Sequence, residues 1–152
     1  MRKITLLMIV LVITAVSMAQ AMTGIYKIGA SEVSPNFTSL KAAIDNLNTV
    51  GMTNNVVFEI TSDLLETASS RIGVNTGTYS VTIRPDADVD RKIKFNMATD
   101  NAKASGLIII GMTADSWDNM TSPQNIIIDG YAVGGSTRRL TLATTDAANI
   151  YH

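Results

Sequence analysis

The chain has 152 residues, with 12 basic and 13 acidic side chains, one histidine and no cysteine. A chain of this length suits one domain with a real core rather than two, and the missing cysteines exclude a lipid-anchored cysteine and a disulfide framework alike. Aromatic residues make up 5% of the chain, so a core must be built mainly from Ile, Val, Leu and Met, and an aromatic platform for stacking sugars is hard to assemble.

The opening reads as an export leader. Arg2 and Lys3 supply a positive start, Ile4 to Val16 is an almost unbroken apolar stretch, and Ala19-Gln20-Ala21 offers the small-x-small pattern that a signal peptidase accepts. The apolar stretch falls short of the roughly 20 residues that cross a bilayer, which favours a cleaved leader over an anchor. The expected signal peptide is residues 1–21, with Ala19 as the second choice of cut. Cleavage after Ala21 leaves 10 basic against 13 acidic side chains, so the exported protein lacks the clustered Lys and Arg of a nucleic-acid surface. No membrane span is expected after cleavage.

Past the leader, Gly24 to Gly29 is a short strand bounded by glycines, and Ser34-Pro35-Asn36 punctuates the chain. Phe37, Leu40, Ile44 and Leu47 then fall on one stripe, which predicts an amphipathic helix over about Thr38 to Asn48, started by Asn36 or Thr38 and ended by Asn48 to Gly51. Beyond Gly51 the pattern is of strands separated by Gly, Asn, Asp and Ser. These are Val56–Ile60, Tyr79–Arg84, Lys92–Asn96, Gly106–Ile110, Asn125–Asp129 and Arg139–Leu142.

No helical pattern fills the gaps, so the crossover helices of an open α/β sheet are missing. A sandwich tolerates these spacings but usually shows alternating strands and tight hairpins. The continuous runs Leu107–Ile110 and Ile126–Ile128 suit strands covered heavily on both sides, and a coiled stack of short parallel strands fits them too. Without a visible repeat period, solenoid and sandwich both remain open on pattern alone.

The order Gly24-Ile25-Tyr26-Lys27-Ile28-Gly29, then Asn36 to Asn48, then Val56-Val57-Phe58-Glu59-Ile60 resembles the opening of large secreted proteins of Bacteroidetes-type bacteria. Thr82-Ile83-Arg84-Pro85 and Asn125 to Gly130 match strands and turns of the same class. The resemblance implies an all-β fold, a right-handed parallel β-helix of the pectin-lyase-like kind over residues 22–152, with the helix near 38–48 capping its first coil. Edge protection of that kind is required of any stacked strand array. Members of this class run much longer, so the chain is expected to be the front of a longer protein, with an exposed last rung.

The chemistry on offer is sparse. His152 is the sole histidine and stands at the chain end, so Ser-His-Asp or Cys-His triads and an ordinary zinc site are out of reach. Gly134-Gly135-Ser136-Thr137 lacks the spacing and the lysine of a phosphate loop. Asp86, Asp88 and Asp90 begin like a calcium loop, but Arg91 stands where glycine should and Met97 where glutamate should. A solvated turn is the plainer reading of them, with weak calcium binding as the alternative and no other cofactor expected.

Asp115 and Asp118 flank Trp117, and an aromatic beside carboxylates can contact a sugar. A tryptophan covering a rung edge is the competing reading. Asp129-Gly130 reads as a turn and Arg138-Arg139 as a solvated pair.

The sequence therefore predicts an exported, non-catalytic module, secreted or held at the cell surface, that adheres to an extracellular glycan or a surface protein. The alternative is the N-terminal part of a polysaccharide lyase or glycoside hydrolase, whose paired carboxylates would lie on later coils.

Overall fold

The computed structural model describes residues 20–96, 108–110 and 124–144. Among them the chain forms β1 (Met22–Ile28), α1 (Leu40–Val50), β2 (Met52–Ile60), β3 (Leu64–Glu66), β4 (Ser70–Ile72), β5 (Val81–Pro85), β6 (Arg91–Phe95), β7 (Ile108–Ile110), β8 (Ile126–Ile128) and β9 (Leu140–Thr144). The leader residues 1–19 and the expected strand residues Gly106 and Leu107 lie outside the described residues.

The strands fall into three sheets, ordered β1-β2-β5-β8, β3-β6-β9 and β4-β7, and every pairing between named strands is parallel. Parallel neighbours need a long connection to bring the chain back to the same end. Helix α1 makes that connection between β1 and β2, and from β2 onward strands of the other two sheets make it instead. The chain visits the first, second and third sheets through β2, β3 and β4, repeats the order through β5, β6 and β7, and starts it again with β8 and β9.

Register places like beside like. Tyr26, Phe58, Ile83 and Ile128 are successive partners in the first sheet, as are Val56, Val81 and Ile126, and Leu64, Ile93 and Leu142 follow one another in the second. Val56, Phe58, Ile60, Ile72, Val81, Ile83 and Ile93 are fully buried. At about 1.5–3 kcal/mol for each large aliphatic or aromatic side chain withdrawn from water, these stacked rows dominate the favourable side of folding.

Burial then fades along the stack. Ile110, Ile127 and Ile128 are 49%, 46% and 44% exposed. This corrects the expectation that the two isoleucine runs are covered on both sides: β7 and β8 have one strand neighbour each among the described residues.

Helix α1 stands between β1 and β2, where the later passes carry strands of the second and third sheets, and it packs chiefly on β4 and also on β1, β2 and β3. Its buried stripe is Leu40, Ala43, Ile44 and Leu47. The first-turn donors without an intrahelical acceptor are all engaged. Leu40 N–H donates to Glu66 Oε1 at 2.7 Å, Lys41 N–H to Glu66 Oε2 at 3.3 Å and Ala42 N–H to Ser39 Oγ at 3.1 Å.

The cap is therefore Ser39, not the expected Asn36 or Thr38, because Ser39 is the extended residue whose oxygen reaches the third donor. The helix also starts and ends two residues later than expected. Gly51 closes it at φ 72°, ψ −166°, a conformation essentially restricted to glycine. At the other end, Asn48 Nδ2 donates to Arg71 O at 2.6 Å, while its Oδ1 accepts from Gly73 N–H at 3.0 Å and Val74 N–H at 3.1 Å.

Polar side chains tie successive passes together at the corners. Ser80 N–H donates to Asn55 Oδ1 at 2.9 Å, and Thr76 Oγ1 both donates to Gln124 O at 2.7 Å and accepts from Gln124 N–H at 2.9 Å.

Candidate functional site

The residues singled out for sugar contact, Trp117 with Asp115 and Asp118, lie outside the described residues, as does His152. The three aspartates of the turn between β5 and β6 are described, and arginines occupy them. Asp86 Oδ1 accepts from Arg91 Nε at 2.8 Å, and the Arg139 guanidinium spans the other two, with Nε to Asp88 Oδ1 at 2.8 Å and Nη1 to Asp90 Oδ1 at 3.1 Å.

The cluster thus serves as an ionic clasp between the turn and the strand stacked beside it. Arg139 is accordingly a bridging residue, which corrects its reading as one of a solvated pair. The hydrogen bond to Asp88, and then that to Asp90, raises the pKa of Arg139 above its already high ordinary value. Among the described residues no group of three His, Cys, Asp or Glu side chains is placed to hold a metal ion.

Along the outer face of the first sheet, Lys27, Glu59 and Arg84 are successive register partners, and Arg84 Nη2 donates to Glu59 Oε1 at 2.7 Å. Asp129 Oδ1 accepts from Tyr131 N–H at 2.9 Å, the local bond of a turn residue. Arg138 packs its guanidinium over the Tyr131 ring, 6.0 Å from the centroid. Two buried polar atoms, Ser70 Oγ and Arg84 Nε, lack a hydrogen-bond partner among the described residues.

Concave surface occurs at both ends of the stack. Beside β8 and β9, a cavity of about 360 Å³ has Ile128, Leu140 and Leu142 with Asp129, Tyr131 and Arg138 along its walls. At the opposite end, a groove of about 440 Å³ runs between β1, the loop before α1 and the helix itself. Tyr26 and Phe37 line it with ring centroids 5.9 Å apart and planes inclined at 49°.

Phe37 was expected on the helix stripe, but it precedes the helix. Its backbone forms a parallel bridge with Ile28, and its N–H donates to Lys27 O at 3.0 Å. That places its ring against Tyr26, which stands on β1 and not on the helix, so helical periodicity could not reveal the groove. Asn36 holds the loop shut, with Oδ1 accepting from Lys27 N–H at 2.9 Å and Nδ2 donating to Glu32 Oε2 at 3.3 Å.

No protein-family model matches the chain, and no curated protein or solved structure was found to match it either. No helix among the described residues is long and apolar enough to cross a membrane.

Proposed function

We propose that the protein is an exported, non-catalytic module folded as a right-handed parallel β-helix, with α1 as the cap over its first coil, and that it offers its surface to an extracellular glycan or a surface protein. The observation that carries the reading is the ordered return of the chain to the same three parallel sheets, with Phe58, Ile83 and Ile128 in one row and Leu64, Ile93 and Leu142 in another. Right-handedness follows from the strong preference of parallel crossover connections for that hand. The likeness to secreted β-helical proteins of Bacteroidetes-type bacteria points the same way, as does the leader.

A stack of this kind presents long, flat strand faces. Ile25, Val57, Thr82 and Ile127 lie in register along one of them, and Ile25 at its start is 57% exposed. Side chains held at the fixed spacing of a sheet suit a repeating polymer, because one favourable contact is repeated from rung to rung. The test is to incubate the exported protein with a panel of soluble and insoluble polysaccharides, measuring retention and release of reducing ends together. Retention without release is the expected result. Steady release of oligosaccharides by the purified protein would overturn the non-catalytic assignment.

A further inference from the structure

We propose that leader removal after Ala21 completes the cap helix: the amino group created at Met22 is a structural cation for the C-terminal end of α1. The inference rests on the export reading above and goes beyond it by giving the cut a role in the fold. A helix carries partial positive charge at its start and partial negative charge at its end, and each end is stabilised by an opposite charge placed against it. Helix α1 supplies neither itself, having no acidic residue in its first turn and no basic residue in its last. At the start the charge comes from outside, from Glu66 of β3, whose carboxylate takes the Leu40 and Lys41 N–H groups.

At the other end the matching position is held by the backbone nitrogen of Met22. It donates to the carbonyl oxygen of Gly51, the residue that closes the helix, at 2.9 Å. Met22 is buried and is the register partner of Met52, the residue after that glycine, so strand pairing fixes the nitrogen in place.

In the uncleaved chain this nitrogen is a neutral amide. Hydrolysis of the Ala21–Met22 peptide bond by signal peptidase adds water across it, leaving a carboxylate on Ala21, which departs with the leader, and an ammonium on Met22. The donor to Gly51 then carries a full positive charge, and a hydrogen bond from an ionised donor is roughly twice as strong as its neutral equivalent. A cut after Ala19 would instead put the charge on Gln20, which is exposed and precedes the strand.

An ammonium whose other protons were stranded away from water would be costly. Gln20 and Ala21 line the groove beside Met22, so their departure opens that side to solvent. The groove's lining residues include no charged side chain, and Tyr26 is the titratable one among them. On the elements packed around Met22, Lys41 pairs with Asp45 on α1, Glu59 of β2 pairs with Arg84, and Lys27 of β1 stands beside Glu59 in register.

The test starts from the full chain, leader included, produced in an exporting bacterium. Intact mass and N-terminal sequencing of the exported protein read the cut. Its α-amino group is then acetylated in urea at about pH 6.5, where lysine side chains stay protonated and unreactive, and the protein is refolded. Acetylation keeps an N–H for Gly51 and removes the charge; the acetyl group stands where Ala21 stands in the uncleaved chain, so the fold accommodates it. Urea unfolding compares the acetylated and unmodified forms at about pH 6 and about pH 10, on either side of the ordinary α-amino range.

We expect the exported protein to begin at Met22 and the acetylated form to unfold with an equilibrium constant roughly two- to fivefold larger at about pH 6, the scale of one charge at a helix end. Because the fold favours the protonated amine, its contribution is complete below the ordinary α-amino value of about 7.7–8.0 and is lost as pH climbs through the folded value, so the two forms should match at about pH 10. An exported protein that begins at any residue other than Met22 overturns the inference and leaves export intact. So does an acetylated form that is equally or more stable at about pH 6, or a difference that persists unchanged at about pH 10. A chain that keeps its leader and never leaves the cytoplasm overturns the export reading and the inference with it.

Discussion

Replacing Glu66 is expected to detach the helix from the strands beneath it. The side chain is 3% exposed, and its two oxygens take the N–H groups of Leu40 and Lys41 at 2.7 and 3.3 Å. Hydrogen bonds to a charged partner are worth about 1.5–3 kcal/mol each, the longer one at the lower end. The carboxylate also faces the positive end of the helix dipole, a further ~0.3–1 kcal/mol. Glu66→Ala leaves Leu40, itself fully buried, with an unpaired donor, and should cost about 3–5 kcal/mol by these magnitudes.

Glu66→Gln retains one acceptor for Leu40 but turns an N–H₂ toward the Lys41 donor, so roughly half of that loss is expected. Urea unfolding followed by far-ultraviolet circular dichroism gives the difference, provided that the slope with urea stays constant. Hydrogen exchange at the Leu40 and Lys41 amides locates it. If Glu66→Ala unfolds within about 0.5 kcal/mol of the parent, the scale of an ordinary surface change, with those two amides no less protected, the reasoning is refuted.

Four further outcomes are expected. Asn48→Ala removes three hydrogen bonds at the other end of the helix and should cost about 1–2 kcal/mol, less than three full bonds because the side chain is exposed; urea unfolding reads it. Phe58→Ala, in the row between Tyr26 and Ile83, opens a cavity at a fully buried position and should cost about 3–5 kcal/mol, with a drop in thermal midpoint visible by calorimetry. Millimolar calcium should leave the thermal midpoint unchanged, because Asp86, Asp88 and Asp90 are engaged by Arg91 and Arg139. The Arg139 contribution should persist through alkaline titration: its pKa is raised on folding, so the clasp holds below the already high ordinary value of an arginine and is lost only as pH climbs through the folded value.

The helix was legible because Leu40, Ile44 and Leu47 repeat at its period, and the longer strands because β-branched residues cluster between turn formers. β3 and β4 were not. Each is three residues long, and each turns a polar side chain inward, Glu66 and Ser70. Glu66 is buried because a helix end needs it, and Ser70 sits beneath Ile108 in register; neither fact is local in sequence. The helix start was misplaced for a related reason: Asn36, Thr38 and Ser39 are all chemically able to cap, and only the tertiary course of the loop, with Asn36 spent on Lys27 and Glu32, selects Ser39. The clasp at Arg139 was hidden by distance, since its partners stand 51 and 49 positions earlier. Spacing rules suggested a cation among those aspartates, and a guanidinium supplies the positive charge instead.

The corners of the chain differ greatly in length while its rows stay aligned. Asn55 reaches Ser80 across 25 positions, whereas Thr76 reaches Gln124 across 48, yet each step advances by one strand spacing, about 4.8 Å. Height and contour are therefore decoupled in this architecture. A connection can thus lengthen between one paired row and the next without moving the rows themselves.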